Sequence, residues 1–251
     1  MSSGHSRLGV LLLHGFTGNP DTIRPLEAPL KNLDLEVSVP LLRGHGANSP
    51  EALRGVTWPD WLADGTTALA ELRNRADRVM VVGHSMGALV ALQLAANQSP
   101  GLDSLVLMAT PLQLASPLAP GRPLQGFRPL LQRLLRSWPI PKSYADPRLG
   151  GNDSSYPWAP MGALISFLDL VERTGPRLKE VSLPALILHS HGDPVVKDTS
   201  AETVLANLAT PTAEKRIVWF QRSGHELLRD VDRDAVLEAV LQFVGERLNH
   251  G

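Results

Sequence analysis

The stretch Val79-Met-Val-Val-Gly-His-Ser-Met-Gly-Ala-Leu-Val90 decides the fold. A β-branched run enters Gly83-x-Ser85-x-Gly87 and leaves directly into Ala88-Leu-Val-Ala-Leu-Gln-Leu-Ala-Ala96, a segment of helix formers. Strand, turn and helix follow so closely that Ser85 is expected in a strained backbone conformation. Gly83 and Gly87 are then needed because a side chain at either position would strike the neighbouring strand or helix. Such a turn lifts the Ser85 hydroxyl out at the carboxyl edge of a sheet, at a helix start whose N–H groups can stabilise an anion.

Outward from this unit, apolar strands alternate with helical segments, which predicts a mostly parallel central sheet with helices on both faces. The expected strands are Gly9–Leu13, Leu35–Val39, Ser104–Ala109, Ala185–His189 and Arg216–Phe220. The expected helices are Pro25–Leu33, Trp58–Asn74 (with Thr57 as its cap) and Asp234–Leu248. Between about residues 112 and 160 prolines and glycines break the alternation, which reads as a small cap insertion within a single domain spanning 1–251. Within it Phe127, Leu130, Leu131, Leu134, Leu135 and Trp138 recur at helical spacing, interleaved with Arg128, Arg133 and Arg136, and a second stripe of Met161, Leu164, Ile165 and Leu168 follows. The expectation for both stripes is packing onto the main domain. A mobile cap that forms an apolar tunnel, or that makes transient contact with lipid surfaces, is the functional alternative.

Composition narrows the chemistry. The chain has 251 residues, 24 basic against 25 acidic side chains and a net charge of −1, which gives no reason to expect a nucleic-acid partner. The absence of cysteine removes disulfides, thiolate metal ligands and a cysteine nucleophile, and fits a reducing cytoplasm. Leu8–Leu13 is too short for a signal peptide core or a membrane span, so a cytoplasmic location is expected.

A serine hydroxyl is a poor nucleophile unless a base takes its proton and an acid orients that base. His225 is the best-placed base, since it follows the strand ending at Phe220 across the short polar turn Gln221-Arg-Ser-Gly224. The acid should also end a strand, and Asp193 does so after Leu186-Ile-Leu-His-Ser-His-Gly192. Ser85, Asp193 and His225 thus form the candidate catalytic set, in nucleophile–acid–histidine order. The candidate oxyanion donors are the backbone N–H groups of Met86, next after the serine, and of Phe16, in the glycine-flanked loop Gly15–Gly18. His14 and His45 are read as braces for their own loops and His84 as packing beside the turn. Asp198 and Glu226 lie near the acid and base in sequence, but neither ends a strand. His189-x-His191-x-Asp193 could instead present metal ligands. The sequence offers no further ligand cluster to complete that set, so neither metal nor cofactor is expected.

With these residues in place the chain resembles the α/β-hydrolase superfamily, and within it the small bacterial carboxylesterases and monoacylglycerol lipases. The resemblance rests on Leu11-Leu-Leu-His-Gly-Phe-Thr-Gly18, Arg43-Gly-His-Gly46, Asp60-Trp61, Gly83-His-Ser-Met-Gly87, Pro184–Leu188 with Asp193, and Ser223-Gly-His225. It implies an α/β-hydrolase fold and a serine esterase that cleaves acyl or monoacylglycerol esters through an acyl-serine, with an apolar acyl chain on its small-molecule substrate. Thioesterase, carbon–carbon hydrolase, peptidase and acyltransferase reactions use the same three residues. A non-catalytic ligand-binding protein on the same fold is the alternative of another kind.

Overall fold

A computed structural model describes residues 6–249. Six parallel strands form the main sheet: β1 (Leu8–Leu13), β2 (Glu36–Ser38), β3 (Arg78–His84), β4 (Leu102–Met108), β7 (Ala185–Ser190) and β8 (Lys215–Phe220), in the spatial order β2-β1-β3-β4-β7-β8. Two short strands, β5 (Ser137–Pro139) and β6 (Trp158–Pro160), pair antiparallel in a separate hairpin. The helices are α1 (Glu27–Lys31), α2 (Trp58–Leu72), α3 (Met86–Ala96), α4 (Arg128–Leu134), α5 (Met161–Thr174), α6 (Asp198–Asn207) and α7 (Arg233–Asn249).

The inner strands are covered on both faces, so their buried apolar residues alternate between two cores. Leu11 and Leu13 of β1, Val79 and Val81 of β3, and Leu105 and Leu107 of β4 pack with α2, α3, α5 and α6. Val10 and Leu12, Met80 and Val82, and Val106 and Met108 face α1 and α7. Strand β3 lies at the centre, where Val81 pairs with Leu11 on one side and Leu105 on the other. Every residue of α3 is buried, which accounts for its lack of a polar face.

The structure places the expected strands and helices within a few residues of their bounds and adds α6, whose sequence Asp-Thr-Ser-Ala-Glu-Thr-Val-Leu-Ala-Asn carries only a narrow apolar edge. The first apolar stripe of the 112–160 segment is not one helix. Helix α4 stops at Leu134, and Trp138 belongs to β5, where Pro139 and pairing with β6 take over. Nor does this stripe pack as expected, since Phe127, Leu130 and Leu134 are 54%, 52% and 68% exposed. The second stripe does pack: Met161, Leu164 and Leu168 are buried along α5.

Candidate active site

Four loops at the carboxyl ends of β1, β3, β7 and β8 meet over the sheet, the edge where open parallel sheets bind ligands. The turn after β3 sets the geometry. Ser85 has φ 52° and ψ −117°, a left-handed-side conformation that a side-chain-bearing residue adopts only under constraint. The constraint comes from close packing: a Cβ on Gly87 would lie 2.1 Å from the Leu13 carbonyl oxygen, and one on Gly83 would lie 2.4 Å from the Gly87 backbone. The Ser85 N–H is tied to the Met108 carbonyl of β4 at 2.9 Å, which fixes the turn against the sheet.

The three side chains named from the sequence come together. His225 Nε2 lies 3.0 Å from Ser85 Oγ, and its Nδ1 lies 2.8 Å from Asp193 Oδ2. Asp193 is itself oriented, because Oδ1 accepts the N–H groups of Val195 (2.8 Å) and Val196 (3.1 Å). The His225 carbonyl accepts a hydrogen bond from His84 Nε2 at 2.9 Å, and the His225 N–H donates to the Ser143 carbonyl at 3.1 Å, so its backbone is held from two sides.

The loop after β1 closes against this unit. A Cβ on Gly15 would sit 3.2 Å from Ser85 Cβ, and Phe16 lines the same cavity as Ser85. The N–H groups of Phe16 and Met86 have no partner among the described residues. Phe16 stacks on Phe167 of α5 with ring centroids 5.0 Å apart. His14 joins two loops: its Nδ1 donates to the Gly15 carbonyl (2.9 Å) and its Nε2 accepts the Leu42 N–H (3.1 Å). The Arg43–Gly46 loop is held in turn by α2. Arg43 contacts Asp60 (2.6 Å) and Asp64 (3.0 Å), the Trp61 indole donates to the Arg43 carbonyl, and Asp60 Oδ2 accepts the Thr57 N–H at the helix start.

The imidazoles differ sharply in charge. Burial lowers the pKa of His14 to about 3 and that of His45 to about 4, and burial also lowers those of His84 and His189. His225 alone among these is raised: burial opposes its charge, but Asp193, hydrogen-bonded to it, and the nearby Glu226 outweigh that opposition. Asp193 is held below the usual carboxylate range, since His225 and the two N–H donors prevail over its burial.

The His189-x-His191-x-Asp193 segment does not converge. Asp193 turns to His225, while His191 bonds Asp198 at 2.7 Å and stacks on Trp219. His189 is fully buried. Among the described residues no group of three His, Asp or Glu side chains is arranged to hold a metal ion.

The Ser85 hydroxyl opens into a cavity of about 320 Å³. Its apolar wall includes Leu114, Trp138, Ile140, Leu164, Phe167 and Leu168, and Lys142, Ser143, Asp153 and Glu226 supply polar groups. Three residues that sequence reasoning passed over join the loops around it. Tyr156 donates its hydroxyl to the Gly44 carbonyl (3.2 Å) and accepts the Ala47 N–H (2.8 Å). Lys142 Nζ bonds the Asp153 carbonyl. Buried Asp230 accepts N–H groups from Ala145 (2.6 Å) and Gly224 (2.7 Å), linking the 143–146 segment to the His225 loop.

The family described as Serine aminopeptidase, S33 matches residues 4–232. The chain belongs to this family of α/β-hydrolases. The hydrolase is 30% identical over 236 residues to a thermostable monoacylglycerol lipase of Bacillus sp. (strain H-257), covering 94% of this chain and 90% of the relative. It is 23% identical over 236 residues to a carboxylesterase of Bacillus subtilis (strain 168), covering 94% and 91%. A solved structure from the work on LipS and LipT, two metagenome-derived lipolytic enzymes, superposes on the hydrolase with a TM-score of 0.86 at 27% identity, covering 97% of this chain and 96% of that one.

Proposed function

We propose that this α/β-hydrolase is a serine esterase that cleaves carboxylic esters carrying an apolar acyl chain, monoacylglycerols among them. The observation that carries the reading is the Ser85–His225–Asp193 hydrogen-bond relay at the mouth of a mainly apolar cavity. The named lipase and carboxylesterase relatives support the ester class.

In the mechanism, Ser85 Oγ attacks the ester carbonyl while His225 Nε2 takes its proton. The oxyanion of the tetrahedral intermediate accepts hydrogen bonds from the Phe16 and Met86 N–H groups. The intermediate collapses as the alcohol departs with the proton from His225, leaving an acyl-serine. Water then gives a proton to the same imidazole and attacks the acyl carbon; collapse returns that proton to Ser85 and frees the acid. Asp193 keeps the proton on Nδ1, so that Nε2 can act as base, and stabilises the imidazolium.

The acyl chain occupies the wall formed by Leu114, Trp138, Ile140 and α5. Residues 112–160 act as the cap of the single domain, and the open face of α4 makes the contact with lipid surfaces. The cysteine-free composition favours work in the cytoplasm; among the described residues no helix is long and apolar enough to cross a membrane.

The test is hydrolysis of p-nitrophenyl esters from acetate to palmitate by wild type and Ser85→Ala. Turnover that rises from acetate toward medium chains and falls by about 10³-fold or more in the variant supports the reading. Full turnover by Ser85→Ala sinks it.

A further inference from the structure

Glu226 follows His225 directly and lines the same cavity as Ser85, and it is only partly exposed. Its carboxylate takes part in no hydrogen bond or ion pair among the described residues. The other acid on this wall is already engaged: Asp153 Oδ1 accepts the Ser155 N–H at 2.9 Å and faces Arg229 at 3.3 Å. An unpaired carboxylate beside a reacting centre is costly to desolvate unless something arrives to bond it. The Glu226 charge is felt inside the site, since it favours the charged forms of His225 and His84 and opposes ionisation of Tyr144.

Lys142 lines the same cavity. Its ammonium has three donors, and the Asp153 carbonyl is the one acceptor it meets among the described residues. The cavity lining thus includes one carboxylate without a partner and one ammonium with spare donors, beside the apolar wall of Leu114, Trp138, Ile140, Leu164, Phe167 and Leu168. An anionic group there would meet Glu226 and a cationic group would meet Lys142. A neutral group with adjacent hydroxyls can donate to the first and accept from the second.

We infer that Glu226, with the oppositely charged Lys142 lining the same cavity, selects the alcohol half of the substrate and favours a neutral polyol such as glycerol over a simple alkyl or a cationic alcohol. This rests on the esterase reading above and adds to it the residue that discriminates between leaving groups. The polyol donates a hydroxyl to the Glu226 carboxylate, a charge-assisted bond that an alkyl alcohol cannot make.

The experiment compares kcat/KM for 1-lauroylglycerol, ethyl laurate and lauroylcholine in wild type, Glu226→Val and Glu226→Gln. Thermal melting checks the fold, and labelling by a fluorophosphonate checks Ser85. Wild type is expected to prefer the glycerol ester over the ethyl ester, with that preference reduced about tenfold in Glu226→Val. Glu226→Gln retains a carbonyl acceptor and loses less. A preference unchanged in both variants overturns the inference. So does a wild type that prefers lauroylcholine and loses that preference in Glu226→Gln, which makes the site a cation site. Failure of the esterase reading looks different, with neither labelling nor turnover of any of the three esters by wild type.

Discussion

At Ser85 the chain holds a backbone conformation that few side-chain-bearing residues adopt, and two glycines without room for a Cβ make it possible. The same tightness places Oγ within hydrogen-bond reach of His225. The pH response of the proposed mechanism follows from the charge on that imidazole. Its pKa lies above the ordinary value of 6.5, so at low pH the ring is protonated in the free enzyme and cannot accept the Ser85 proton. We expect kcat/KM for a neutral ester to rise with pH in a single one-proton step whose midpoint lies above 6.5. A midpoint below 6.5 would show that Asp193 and Glu226 do not outweigh the burial of His225. His14, His45, His84 and His189 are all shifted the other way, so none of them produces such a step.

The elements differ in how plainly the sequence announced them. Strand β3 and helix α3 were legible because Gly-His-Ser-Met-Gly joins a β-branched run to a run of helix formers, and Asp193 and His225 because each follows a strand by a short polar turn. Helix α6 was not, since one narrow apolar edge carries its packing. The β5–β6 hairpin escaped for another reason: Pro139 and Pro160 look like breakers, and Trp138 falls into register with the helical stripe before it. That stripe bears on function at the scale of α4. Leu124, Phe127, Leu130, Leu134 and Leu135 are all exposed, and the charged residues between Asp103 and Asp146 are Arg122, Arg128, Arg133, Arg136 and Lys142, all basic. Arg128 is buried and paired with Glu172, but the other cations flank this apolar face, which suits an anionic lipid surface. The chain should co-sediment with vesicles containing phosphatidylglycerol more than with phosphatidylcholine vesicles, and Leu130→Ser/Leu134→Ser should weaken that binding severalfold. Equal binding by the double variant would reject α4 as the contact.

Across the whole molecule, the 112–160 segment and the loops at the sheet edge are joined around the site itself. Tyr156 reaches back to the Gly44–Ala47 loop, its N–H donates to the Thr17 carbonyl, and Asp230 gathers donors from both sides. Apart from the local Asp230–Gly224 bond, these contacts span 85 or more residues of sequence, and no local pattern marks them. Asp230→Ala would leave the buried N–H of Gly224 and the part-buried N–H of Ala145 without their acceptor, at a cost of about 2 kcal/mol. It should therefore lower the melting temperature and kcat together. A variant that melted several degrees lower yet turned over substrate at the wild-type rate would show that the His225 loop does not depend on this carboxylate.

Ser85 and His225 are 140 residues apart, and the second arrives only with the loop after β8, the outermost strand of the sheet. A refolding chain can therefore bury its central strands and regain most of its helix while it is still chemically inert. The pairing of β8 with β7 joins residues 30 apart, but the Ser85–His225 contact closes 140 residues of chain, and such a contact is a late and slow kind of event. Recovery of serine reactivity is thus a clock for the last edge strand to dock, and it runs behind any optical signal of chain compaction.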